Sequence, residues 1–284
     1  MIPIRVIRRR IRSIQSTAKI TRAMEMIAAS KMRQAQLRVV AARPYAERMR
    51  HVVAHLAAQT QPGEEIHPLL QRGEVTNVGI IHIAADRGLC GGLNANVNRR
   101  TVGFVHEQTA PVAVITVGRK GRDFMTRYGQ RIVAEFTQLG DRPSLVDTLP
   151  ISRVVIDDYC KNTFDEVYLA YSQFITTVNH QPVIRQLLPI QPAELEPAEN
   201  LDYIYEPSSS EVLQQLLPRY VEMQVYHAIL ESIASEQSAR MVAMRNATDS
   251  ANDMIEELTL TLNKARQELI TKELLDIAGG VEQH

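Results

Sequence analysis

One apolar seam holds its frame through the first 56 residues. Ile4, Ile7, Ile11, Ile14, Ala18, Thr21, Glu25, Ala28, Met32, Ala35, Val39, Ala42, Ala46, Met49, Val53 and Leu56 recur at alternating steps of three and four, and only Thr21 and Glu25 are polar. A heptad stripe of that length specifies a long helix that must either project from a core or pair with another long helix. At about 1.5 Å per residue it would extend about 80 Å, wider than a globular core. Pro44 falls inside it. A proline there removes one backbone donor, so a kink is expected at that point. The many alanines on the seam imply close approach of the partner helix.

A second such helix lies at the other end of the chain, and the two can pair antiparallel if the middle brings their roots together. From Leu213 to Leu269 a second 3/4 frame runs through Leu216, Tyr220, Met223, Leu230, Ala234, Met241, Met244, Ala251, Ile255, Leu258, Leu262 and Ala265, interrupted by His227, Gln237 and Thr248. Pro207 and Ser208 to Ser210 offer start signals, and Gly279–Gly280 a stop. Thr21, Glu25, Gln237 and Thr248 are polar breaks in the two seams.

Between these helices the pattern changes. Short β-branched runs at 78–84, 112–117, 132–136, 167–171 and 183–188 alternate with helical stretches at 95–109, 120–128 and 144–162. Alternating β and α units predict an α/β domain with a largely parallel sheet. Prolines at 189, 192, 197 and 207 mark a linker. The expected fold is therefore a central Rossmann-like α/β domain plus a long antiparallel coiled coil of the N- and C-terminal helices. Its segments are 1–60, 74–190, the linker 191–208, and 209–284.

Charge is unevenly placed. Residues 1–50 carry 13 Lys/Arg against Glu25 and Glu47, although the whole chain has a net charge of zero. A basic end on a neutral protein points to an acidic protein surface, a nucleic acid or an anionic membrane. Cys90 and Cys160 form no metal-ligand spacing and fit a reducing compartment. No apolar run reaches the length of a membrane span.

Candidate chemistry is sparse. The loop from Asp86 to Asn94 (DRGLCGGLN) follows a strand and precedes a helix, where α/β folds bind phosphates. Its spacing matches neither GxGxxG nor a P-loop. A tight turn that uses glycine freedom explains it as well. Cys90 lacks an orienting base, His82 sits within a strand and reads as a packed residue, and Asp157–Asp158 point to different sides of a helix. The arginines among residues 5–12 could track phosphates or face an acidic collar.

Several of these segments resemble one family. Ile20 to Met32 (ITRAMEMIAASKM), Arg43-Pro44-Tyr45, the Asp86 to Asn94 loop, Tyr203 to Pro207 (YIYEP), Ser235 to Thr248 (SEQSARMVAMRNAT) and Asn263 to Gln267 (NKARQ) are similar, in the same order, to the signatures of F-type ATP synthase gamma subunits. The resemblance implies a central-stalk rotor of a proton-translocating enzyme. It would turn inside a hexamer of three α and three β subunits and couple ion flow through the membrane c-ring to ATP synthesis or hydrolysis on β. It implies one copy per complex, no catalysis and no cofactor of its own. It also implies partnership with epsilon and a peripheral position on the cytoplasmic side of a bacterial inner membrane. For the polar breaks in the seams it implies weak, slipping contact with the surrounding sleeve. Residue by residue, Met24, Arg266 and Gln267 match positions that contact β. Tyr203, Tyr205 and Glu206 match the region that meets the c-ring and epsilon. No segment resembles the plastid insert with its regulatory cysteine pair.

Overall fold

The computed structural model describes residues 3–59, 67–71, 73–177, 179–191 and 209–281. Along the chain it comprises α1 (Ile4–Gln59), a single 3-10 turn (Pro68–Leu70), β1 (Val78–Ile83), α2 (Leu93–Glu107), β2 (Val112–Val117), α3 (Arg119–Arg127), β3 (Arg131–Phe136), α4 (Leu145–Cys160), β4 (Glu166–Phe174), β5 (His180–Leu188) and α5 (Ser209–Val281). Backbone contacts divide it into two compact units. One joins residues 1–28 to 240–284, and the other spans 29–239.

The larger unit is a five-stranded sheet in the order β3-β2-β1-β4-β5. β1 pairs parallel with β2 and β4, and β2 pairs parallel with β3. β4 and β5 run antiparallel. All six residues of β1 are buried. Its apolar run, broken only by His82, is what a strand covered on both faces requires. β3 lies at one edge, where a register shift leaves Val133 exposed. β5 forms the other edge and tolerates Pro182, which a central strand would not. α4 starts where Asp147 reaches back to the Ser144 amide at 2.8 Å, satisfying a donor the helix leaves free. The main core combines Ile81, Ile115 and Leu169 of the sheet, Ile151 and Val155 of α4, Met49 and Val53 of α1, and Leu217, Val221 and Ile229 of α5. Farther along the helices Ala35 and Val39 pack with Leu230 and Ala234.

In the smaller unit α1 and α5 pair antiparallel. Thr21 meets Thr248 at 2.7 Å, and Glu25 accepts a bond from Arg245 at 2.9 Å. Ile7, Ala18 and Ala28 are buried on α1, and Met244, Thr248 and Ala251 on α5. Each of these belongs to the seam legible in the sequence.

Two expectations change. Gly279 and Gly280 do not stop α5, which runs through them to Val281. Glycine costs a helix about 1 kcal/mol but does not forbid it. The polar seam positions are not a slipping surface. Thr21 is matched with Thr248, Glu25 with Arg245, and Gln237 with Asp141. Each polar break finds its partner inside the chain. α1 is continuous across Pro44 as far as Gln59.

Candidate interaction surfaces

The loop after β1 is built as a joint. Asp86 accepts the Arg119 amide at 3.0 Å and the Gln138 amide at 2.9 Å, so one carboxylate ties together the turns after β2 and β3. Asn94 accepts the Ala85 amide at 3.0 Å and donates to Cys90 Sγ at 3.3 Å. Cys90 is 2% exposed and packs with Leu93 and Ala239. Gly91 adopts φ +58°, and its exposed neighbour Leu89 adopts φ +63°. The Asp86 and Asn94 side chains are thus engaged in holding the turn. Asp157 and Asp158 lie on α4 with no shared ligand geometry, and among the described residues no group of three or more His, Cys, Asp or Glu could hold a metal ion.

His82 is buried on β1. Its Nδ1 lies 3.0 Å from Thr101 Oγ1 and its Nε2 2.9 Å from Asn98 Oδ1. Burial pushes its pKa down to about 4. It is a packed histidine, fully walled in.

A cleft of about 570 Å³ opens between β4, β5 and α5, with Tyr171, Arg185, Tyr220, His227 and Glu231 among its walls. Glu231 is 5% exposed, and its Oε1 lies 3.9 Å from His227 Nδ1. Among the described residues its Oε2 is buried without a hydrogen-bond partner within bonding geometry. Burial, with Glu231 nearby, raises the Tyr171 pKa and keeps the phenol protonated. The Arg185 guanidinium lies 5.9 Å from the centre of the Tyr171 ring. Nothing in the heptad pattern distinguished Glu231, because it sits off the seam.

The positions matched to β contacts fall in the smaller unit and are not brought together. Met24 is half-buried beside Glu25, whereas Arg266 and Gln267 are exposed on α5. Arg245, opposite Glu25, is separated from Arg266 by a helical rise of about 30 Å. Arg5, Arg8, Arg9, Arg10 and Arg12 are all exposed on α1. The register that sets Thr21 against Thr248 places Ile4 near Ala265, so α5 continues beyond the start of α1. In that stretch Leu269, Ile270, Leu274 and Leu275 are 41–67% exposed. Tyr203, Tyr205 and Glu206 lie outside the described residues. No helix among the described residues is long and apolar enough to cross a membrane.

These features define a class: proteins in which a doubly wound α/β domain holds the roots of two terminal helices that pair with each other. The ATP synthase family matches residues 3–283. An ATP synthase gamma chain from Dehalococcoides mccartyi is 62% identical over 280 residues, covering 99% of this chain and 98% of that one. The gamma chain of Chloroflexus aurantiacus is 51% identical, with 97% of each chain covered. Among solved structures, the rotor of the Euglena gracilis mitochondrial ATP synthase superposes with a TM-score of 0.67 at 20% identity, covering 94% of this chain and 98% of that one. The central stalk and c-ring structure from Tetrahymena thermophila gives 0.61 at 23%, covering 80% and 99%. Those two share the fold. The chain belongs to the ATP synthase gamma-chain family.

Proposed function

We propose that this chain is the central-stalk rotor of a bacterial proton-translocating ATP synthase and is itself non-catalytic. One copy turns inside a ring of three α and three β subunits. Epsilon and the membrane c-ring are its other partners, and it sits peripherally on the cytoplasmic face of the inner membrane. Its asymmetric surface gives each β subunit a different contact, and only such a difference can shift the nucleotide affinities of otherwise equal sites. Met24, Arg266 and Gln267 meet β. Tyr203, Tyr205 and Glu206 meet epsilon and the c-ring. The chain needs no cofactor for this role, and its segments divide as 1–60, 74–190, 191–208 and 209–284.

The observation that carries this reading is the exposed apolar tip of α5. Leu269, Ile270, Leu274 and Leu275 lie beyond the point where α1 begins and remain exposed. An apolar tip of that kind calls for a sleeve from another chain. The test is affinity purification of the chain from gently solubilised membranes, with identification of co-purifying subunits and an ATPase assay. Recovery of α, β and epsilon with ATPase activity is expected. A chain recovered alone, from an extract that contains α and β, would overturn the reading.

A further inference from the structure

Three bonds from a single turn of α5 grip three different parts of the α/β domain. Ser235 Oγ donates to the Ser172 carbonyl of β4 at 3.0 Å. Gln237 Nε2 donates to Asp141 Oδ1 at 3.1 Å, in the loop between β3 and α4. Ser238 Oγ donates to the Thr177 carbonyl, in the turn between β4 and β5. Beside them Ala239 closes against Cys90 and Leu93 of the β1–α2 loop. The loops that follow β1, β3 and β4 thus meet one short stretch of helix. Ser235, Gln237, Ser238 and Ala239 are all buried.

Asp141 does more than accept from α5. Its other oxygen, Oδ2, lies 2.6 Å from Lys31 Nζ on α1. One carboxylate therefore bridges both terminal helices. The loop that carries it is moored at its start, where the Gln138 amide donates to Asp86 at 2.9 Å. Gln138 and Gly140 take φ of +63° and +76°, turning the loop between that mooring and Asp141.

We propose that Ser235–Ala239 and the loops around it form a torsion-bearing collar, with Asp141 as the positioning residue that makes the α/β domain and the roots of both helices turn as one body. The physical reason lies in the kind of contact. Apolar packing is non-directional and resists separation far better than it resists sliding. Hydrogen bonds weaken steeply when their angle is lost. Bonds directed from several sides onto one helix therefore resist rotation about its axis. The proposal rests on the rotor reading above, because only a shaft under torque uses such stiffness.

The test uses the assembled complex with α and β fixed to a surface and stalled. A bead is tethered through Cys160, which is exposed, whereas Cys90 is buried. The variance of the bead's angle measures torsional compliance. Asp141→Ala should raise it several-fold, and Asp141→Asn, which keeps a carbonyl acceptor for Gln237 but loses the ion pair, should give an intermediate rise. The exchange K31D/D141K should recover part of the stiffness. Unloaded ATP hydrolysis should stay unchanged, which separates a stiffness role from failed assembly. Should Asp141→Ala not assemble, Asp141→Asn decides alone. An angular variance equal to wild type in the assembled variants overturns the collar while leaving the rotor reading intact. A wild-type chain that does not assemble with α and β overturns both.

Discussion

His82 lies near the C-terminal end of β1 with both ring nitrogens engaged and no exposure to solvent. The Thr101 hydroxyl also reaches the Val97 carbonyl at 2.9 Å. A neutral ring satisfies every group if Nδ1–H donates to Thr101 and the Asn98 amide presents its NH2 to Nε2. Burial lowers the folded-state pKa from 6.5 to about 4. The unfolded chain therefore takes up a proton between those values that the folded chain refuses. Stability from this site is complete above about pH 6.5 and falls as pH drops towards 4, by about 3 kcal/mol in all. His67 and His180 shift in the same direction through partial burial. His82→Gln removes the titration, so its urea midpoint should fall less between pH 7 and pH 4.5 than that of the wild type. Equal losses would show that other groups carry the acid sensitivity. The same ring fixes Gly121, where an added Cβ would lie 2.7 Å from His82 Cδ2. Gly121→Ala should cost about 1–3 kcal/mol through overpacking, read from chemical denaturation at pH 7.

Among the elements, the two terminal helices were the most legible. Their seam is repeated often enough to define its own frame, and the positions it names on α1 from Ile4 to Val39 are buried or half-buried. The strands were legible as short β-branched runs bounded by glycine and proline. The antiparallel direction of β5 was not, because pairing direction depends on the path of a turn rather than on composition. Asp141 was invisible for a related reason. Its partners Lys31 and Gln237 lie 110 and 96 residues away, and no local pattern links them. The polar breaks were legible as exceptions, but their meaning was not. Thr21 and Thr248 share a bond across two helices and are 9% and 4% exposed. Each hydroxyl also reaches a carbonyl of its own helix, Thr21 that of Ala18 at 3.1 Å and Thr248 that of Met244 at 2.9 Å, so removing either one ends the interhelical bond without stranding the other. Thr21→Val and Thr248→Val should each destabilise by about 1 kcal/mol through loss of the one shared bond, and the double variant by less than the sum of the two. Thermal unfolding of the four chains completes the cycle. Simple additivity would mean that the two hydroxyls act independently.

At the scale of the whole molecule, the N-terminal charge and the apolar tip make one argument about what surrounds the smaller unit. Residues 1–50 hold 13 Lys/Arg against two acids. Arg5, Arg8, Arg9, Arg10 and Arg12 are exposed on the part of α1 that ends near Ala265 of α5. Beyond it come the exposed Leu269, Ile270, Leu274 and Leu275. A sleeve suited to both would be acidic around the arginines and apolar around the tip. The two parts should then respond differently to salt. Exposed charge pairs weaken as ionic strength rises, because screening acts over about 10 Å at 0.1 M, whereas apolar contact does not weaken that way. Arg9→Gln with Arg10→Gln should reduce reassembly with α and β several-fold at low salt and much less at high salt. Leu274→Ser with Leu275→Ser should reduce it to the same extent at both. The leucine variant carries a second signature. Because those side chains touch little of their own chain, its unfolding midpoint should stay within about 0.5 kcal/mol of wild type, while aggregation of the free chain, followed by light scattering, should fall. A lower midpoint would mean that the tip packs against this chain after all, and the case for an external sleeve would then rest on the arginines alone.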